Sequence, residues 1–228
     1  MKLLAVDSSG IVATAAVYSD GIIRSSSQVN NKLTHSQTLL PMIDRVMSEA
    51  GIKPDELDAV AVGAGPGSFT GLRIGAATVK GLCLAIDKPV IPISSLEIIA
   101  RNLYNCSTKI CPIMDARRNQ VYTAVYDSDM NVITEPCAMG IDELLETLAS
   151  DEVTFAGDGV AVHKDAIIEK MGERAHFAPA HLRYQNAAAI CEIAEIMYER
   201  GEYMNALDFS PVYLRMSQAE RERLEKEK

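Results

Sequence analysis

The residues in this 228-residue chain best placed to do chemistry are carboxylates that close short apolar runs. Asp7 follows Leu3-Leu4-Ala5-Val6, Asp115 follows Cys111-Pro112-Ile113-Met114, and Asp158 stands between two glycines after Val153-Thr154-Phe155-Ala156. Two such groups on facing walls of a cleft could divide the work of phosphoryl transfer, one holding a metal-bound nucleotide and the other activating a nucleophile. Ser8 and Arg117 flank them as further candidates for cofactor contact. Arg117 and Arg118 could steer an anion inward or simply pair with Asp115. The same residues also suit a plainer role, because an Asp after a strand accepts backbone N–H groups and shapes the turn that follows. Gly157-Asp158-Gly159 is likewise a common turn that needs no ligand.

A second candidate is the glycine-rich stretch from Gly63 to Gly75, GAGPGSFTGLRIG, which lies between a β-branched run and a helical pattern. Strand, glycine loop and helix in that order often hold phosphates. However, a P-loop needs Lys directly after its last glycine, and Gly71 is followed by Leu72-Arg73. A dinucleotide fingerprint needs a third glycine where Thr70 stands. The alternative is a tight turn that starts a helix hard against a sheet, with Thr70 as a candidate cap. Metal chemistry finds little support. The five cysteines include no C-x-x-C pair, and His35, His163, His176 and His181 include no i, i+4 pair. His35, next to a helix start, reads as a capping or packing residue.

The elements that must position these residues follow from periodicity. Lys2 to Asp7, Val12 to Tyr18 and Ile22 to Gln28 read as a three-stranded meander with a turn at Asp20-Gly21. Leu39, Leu40, Ile43, Val46, Met47 and Ala50 share a helical face, with Pro41 expected near the start of the hydrogen-bond ladder. After the glycine loop, Leu72, Ala76, Val79, Leu82, Cys83 and Ile86 form one apolar stripe. Ile74, Ala77, Gly81, Leu84 and Ala85 form a second, nearly opposite. A helix apolar on two sides is deeply buried or awaits a partner. Ser94 to Glu97 has capping-box spacing, which predicts a helix to about Tyr104.

The pattern then begins again. At an offset of 108, Asp7 meets Asp115, Ala16 meets Ala124, Val17 meets Val125 and Tyr18 meets Tyr126, and the same order of elements follows. The chain therefore reads as an α/β protein with a duplicated β-β-β-α-β-α lobe: 1–105, 106–216, and a charged tail over 217–228. Net charge is −9, with a pI near 5.0, which disfavours direct contact with a nucleic-acid backbone. No apolar run approaches the roughly 20 residues of a membrane span, so the expected location is the cytoplasm.

Val6-Asp7-Ser8-Ser9, His35-Ser36 with Leu39-Leu40-Pro41, the whole glycine loop, Asp115 to Tyr122 and Tyr213-Leu214-Arg215 together resemble the TsaB family of bacterial tRNA threonylcarbamoyladenosine biosynthesis proteins. That family belongs to the glycoprotease-like branch of the actin-type ATPase superfamily. The resemblance implies ribonuclease-H-like lobes, each a mixed sheet with helices. It also implies a comparison with TsaD, the catalytic relative, which carries two metal-binding histidines four residues apart after a strand like Ile91-Pro92-Ile93. The matching positions here are Ser95 and Ile99, and isoleucine cannot be a ligand. The expectation is thus a non-catalytic subunit without a cofactor or metal site of its own. It would pair with a TsaD-like catalytic subunit and a TsaE-like ATPase, meet tRNA only indirectly, and form a homodimer when the partner is absent. The expected interface is Leu39, Leu40, Met42, Ile43 and Met47 on the first helix, with Ile74, Ala77, Gly81 and Leu84 on the second. The alternatives are an actin-type phosphotransferase using Asp7 and Asp115, or a metallopeptidase.

Overall fold

The structure is a computed structural model describing residues 1–31 and 33–215. The tail expected over 217–228 lies outside the described residues. Two five-stranded sheets share one topology. The first has the order β3-β2-β1-β4-β5, built from Lys2–Asp7 (β1), Ala13–Ser19 (β2), Ile22–Val29 (β3), Ala59–Gly65 (β4) and Val90–Ser94 (β5). The second has the order β8-β7-β6-β9-β10, built from Lys109–Asp115 (β6), Gln120–Tyr126 (β7), Val132–Gly140 (β8), Val153–Ala156 (β9) and Ala175–Phe177 (β10). In each sheet the meander is antiparallel and the last two strands run parallel to the first. The duplication is therefore present in three dimensions.

The ungapped offset is one residue out at the carboxylates. Leu4 and Val6 share their cluster with Val17, while Cys111 and Ile113 share theirs with Val125. Leu4 thus corresponds to Cys111, and the counterpart of Asp7 is Met114, whose pairing with Tyr122 repeats that of Asp7 with Thr14. Asp115 lies one residue further on. A one-residue step along a strand turns the side chain to the opposite face.

Helices cover both faces of the sheets. His35–Ala50 (α1) and Phe69–Ile86 (α2) pack on the outer face of the first sheet, while Ile141–Thr147 (α4) and Gly159–Met171 (α5) do so on the second. α1 runs straight through Pro41, contrary to the expected start. Pro41 is exposed, and Leu39, Met42, Ile43, Val46 and Met47 anchor the helix on the sheet on both sides of the missing hydrogen bond. The cap of α2 is Ser68 rather than Thr70: the Ser68 hydroxyl accepts the Gly71 N–H at 3.3 Å. By length and mean hydropathy of 1.4, α2 is apolar enough to cross a membrane, which the count of consecutive apolar residues misses. One side of it nonetheless fills the core of the first lobe.

Ser95–Arg101 (α3) ends before Tyr104, and Ser94 makes no side-chain capping bond. Its importance lies in where it packs. α3 follows the first sheet, yet Leu96, Ile99 and Ala100 lie against Ile110, Met114, Ala124 and Tyr126 of the second. Conversely, Ala187–Glu199 (α6) follows the second sheet and inserts Ala187, Ile190, Cys191, Ile193 and Ala194 against Leu3, Ala5, Ile91 and Ile93 of the first. Ala206 and Phe209 then enter the outer core of the first lobe. The expected boundary is therefore corrected. The core of the first lobe takes in α6, Ala206 and Phe209 from beyond residue 105, because its inner sheet face is apolar and α6, with Ile98 of α3, packs on it. Phe209→Ala should cost about 3–5 kcal/mol, the usual penalty for truncating a buried phenylalanine, despite its position near the end of the chain. Urea unfolding measures it.

Candidate functional site

The glycine loop closes on its own chain. Ser68 N–H donates to the Ser9 carbonyl at 2.7 Å, and the Ser8 hydroxyl donates to the Gly71 carbonyl at 2.9 Å. A Cβ at Gly67 or Gly71 would run into the Ser9 or Ser8 backbone, so glycine is required there by the close approach of two turns. The Gly65–Pro66 peptide is cis. Beneath this seal Asp7 is fully buried. Its Oδ1 accepts the Ser9 N–H at 2.8 Å, and the Ser9 hydroxyl lies 2.9 and 3.0 Å from the two carboxylate oxygens. Gly63 backs directly onto the same carboxylate. Burial pushes the Asp7 carboxyl up to about 6, a rise that the Ser9 hydrogen bonds only partly offset.

A cleft of about 520 Å³ lies between the lobes. It is lined by Ser9, Gly10 and Ile11, by Gly67 to Phe69, and across the gap by Met114 to Arg117, Tyr122, Asp158, Val162 and Arg215. Asp115, Arg117 and Asp158 are thus brought together on one wall, while Asp7 and Ser8 are sealed off from it. Asp115 N–H donates to Asp158 Oδ1 at 3.0 Å, and Arg117 N–H donates to Asp115 Oδ1 at 2.9 Å. Burial raises the Asp158 carboxyl, against the lowering effect of the Asp115 N–H. The Arg117–Asp115 ion pair is 3.7 Å long with the arginine 88% exposed, a geometry that contributes little. His35 Nε2 sits 2.8 Å from the Gly10 carbonyl and fixes the start of α1 against the same turn.

The arrangement of Asp7 and Asp115 on opposite walls is not formed, because Asp7 faces inward under the glycine seal. A metal-bound nucleotide of the actin-type kind finds no Asp7 oxygen to meet. Ser95 and Ile99 are both fully buried, and Ile99 packs in the apolar cluster between the lobes, so a metal of the TsaD kind does not fit these side chains. Sequence reasoning missed Gln185, which is buried at the lobe junction with its Nε2 3.4 Å from the Ser9 hydroxyl. It lies in no periodic segment and carries no motif.

The second candidate is the outer face of the first lobe. Leu39, Met42, Ile43 and Met47 belong to the core there, a correction to the expected interface: α1 spends its apolar side on its own sheet. Ile74 is half-buried against the same core. What remains exposed is Leu40 at 63%, Leu84 at 52%, and Ala77, Gly81 and Ala85 beside it.

The match of residues 28–223 to the family described as TsaD: tRNA N6-adenosine threonylcarbamoyltransferase places the chain in this group. The tRNA threonylcarbamoyladenosine biosynthesis protein TsaB of Haemophilus influenzae is 30% identical over 94% of both chains. The chain belongs to the TsaB family. YeaZ from Pseudomonas aeruginosa superposes with a TM-score of 0.80 at 30% identity, over 93% of this chain and 99% of that one. For fold alone, the ROK hexokinase from Thermus thermophilus superposes with a TM-score of 0.50 at 13% identity, over 86% of this chain and 99% of that one, consistent with actin-type lobes. As a TsaB-family chain it keeps the two-lobed frame and uses the start of it, Asp7 to Gly10, as a buried structural turn.

The raised Asp7 group gives a signed prediction. Its folded value of about 6 lies above the unfolded value of 3.8, so its contribution favours the native state below pH 4 and is lost as pH rises through 6. The loss is roughly 3 kcal/mol. Asp7→Asn should abolish that part of the decline, so that the stability difference between variant and wild type grows in the variant's favour from pH 4 to pH 7 in urea titrations.

Proposed function

We propose that this chain is a non-catalytic docking subunit in the formation of threonylcarbamoyladenosine in tRNA, acting in the cytoplasm. The observation that carries the reading is the run of exposed apolar and small residues Ala77, Gly81, Leu84 and Ala85 on α2, a helix whose opposite side is core, together with exposed Leu40 on neighbouring α1. A TsaD-like threonylcarbamoyltransferase lays its equivalent helices on this face to close a bundle. A TsaE-like ATPase joins that pair, and tRNA is held through the partner. Without the partner, the same face closes on a second copy with two-fold symmetry. The family match to a transferase and the TsaB name of a full-length relative support this pairing. The chemistry of the Asp7 and Ser95 positions supports the absence of a working centre.

The small residues suit the role. Gly81 and Ala77 leave a shallow track along which a second helix can approach, with Leu84 and Leu40 as anchors worth roughly 1.5–3 kcal/mol each when fully buried. Leu84→Asp should leave the isolated chain folded and abolish co-purification with the TsaD-like partner. Retention of the partner at wild-type yield would overturn the reading. Gly81→Ala separates the two roles: a Cβ there meets nothing within 4 Å, so the isolated chain should gain up to about 1 kcal/mol of stability while partner affinity falls. Thermal melts and titration calorimetry report the two effects independently.

A further inference from the structure

We infer that residues 211–215 form a latch that fixes the two lobes relative to each other and so sets the width of the cleft. The chain has already crossed between the lobes twice when it crosses again here, with Val212 and Tyr213 attached to one lobe and Leu214 and Arg215 to the other. Val212 N–H donates to the Ala64 carbonyl of β4 at 2.7 Å, and the Val212 carbonyl lies so close to Gly65 that only glycine fits. The Tyr213 ring stacks on Phe69 at the start of α2, with centroids 4.6 Å apart and planes within 5°. The Arg73 guanidinium flanks both rings at 5.9 and 6.0 Å, and its Nε donates to the Tyr213 hydroxyl at 3.4 Å. These contacts hold the segment to the first lobe.

The next two residues hold it to the second. Leu214 packs on the cluster containing Met114, Ala116 and Tyr122, and Arg215 Nη1 donates to the Ala116 carbonyl. Ala116 begins the β6–β7 turn, in which Arg117, Arg118 and Asn119 all adopt positive φ, near 64°, 56° and 56°. Three successive non-glycine residues in the left-handed region persist only where their surroundings hold them. Phe69, Ala116, Arg117 and Arg215 all line the cleft, so both ends of the latch stand at its rim. An aromatic stack on one lip is thus joined through two residues of chain to a strained turn on the other. Release of either end frees the 115–120 turn and widens the cleft at its rim, while α3 and α6 still join the lobes.

The latch does not depend on the docking reading, and hydrogen–deuterium exchange on the isolated chain tests it. Arg215→Ala should raise exchange over residues 114–120 about fivefold, while β1, β2 and α6 keep wild-type protection. Tyr213→Ala is the decisive variant, since the ring's partners, Phe69 and Arg73, both belong to the first lobe. It should produce the same rise in the 114–120 turn of the second. If Tyr213→Ala leaves 114–120 unchanged, Arg215 makes a local bond and the latch is overturned. A rise spread equally through β1, β2 and α6 in either variant would also overturn it, because the segment would then support the fold as a whole.

Discussion

The structure depends on an exchange of helices between its two halves. Each sheet has an inner face rich in apolar residues, and each is covered by the helix that follows the other sheet: α3 lies on β6 and β7, α6 on β1 and β2. Uncovering either face would expose a surface on the scale that drives aggregation or association. The lobes are consequently not independent bodies joined by a linker. The cleft between them is bounded by elements that each half lends to the other, and its floor is continuous with both inner cores.

The same economy of space explains the carboxylate that the sequence presents most prominently. An aspartate at the end of a first strand, followed by two serines and a glycine, has the composition of a ligand loop. Here a second glycine-rich loop is folded down onto it, and the donors a ligand would meet are already taken: Ser9 bonds Asp7, Ser68 bonds the Ser9 carbonyl, and Ser8 bonds Gly71. The low dielectric of the buried site then raises the carboxyl against the opposing Ser9 hydrogen bonds. The glycines that looked like a phosphate cradle serve contact between two turns of one chain, a role that composition cannot distinguish from the other.

Much of the architecture was legible because it rests on local periodicity. The meander, the long two-faced helix and the repeated order of elements can all be read from alternation, helical spacing and the Asp20-Gly21 turn. What could not be read was nonlocal. The one-residue step that sends Asp115 to a different face from Asp7 is invisible in an ungapped offset, since it resides in the length of a turn. The assignment of Leu39, Met42, Ile43 and Met47 to the core required knowing which side of the first helix meets a sheet. Pro41 misled because helix packing on both sides outweighs one missing hydrogen bond. The return of α6 and Phe209 to the first lobe left no trace in composition.

That return has a consequence for how the molecule is made. A ribosome emits the chain from its amino end at about 5–20 residues per second, and the first sheet is complete in sequence once β5 has emerged. Its inner face nevertheless stays bare until α6 leaves the exit tunnel, roughly a hundred codons later, and its outer core is unfilled until Phe209 follows. The nascent first sheet therefore waits through roughly a hundred codons as a sticky, half-finished layer. Its maturation waits on α6 to Phe209, a segment translated long after it.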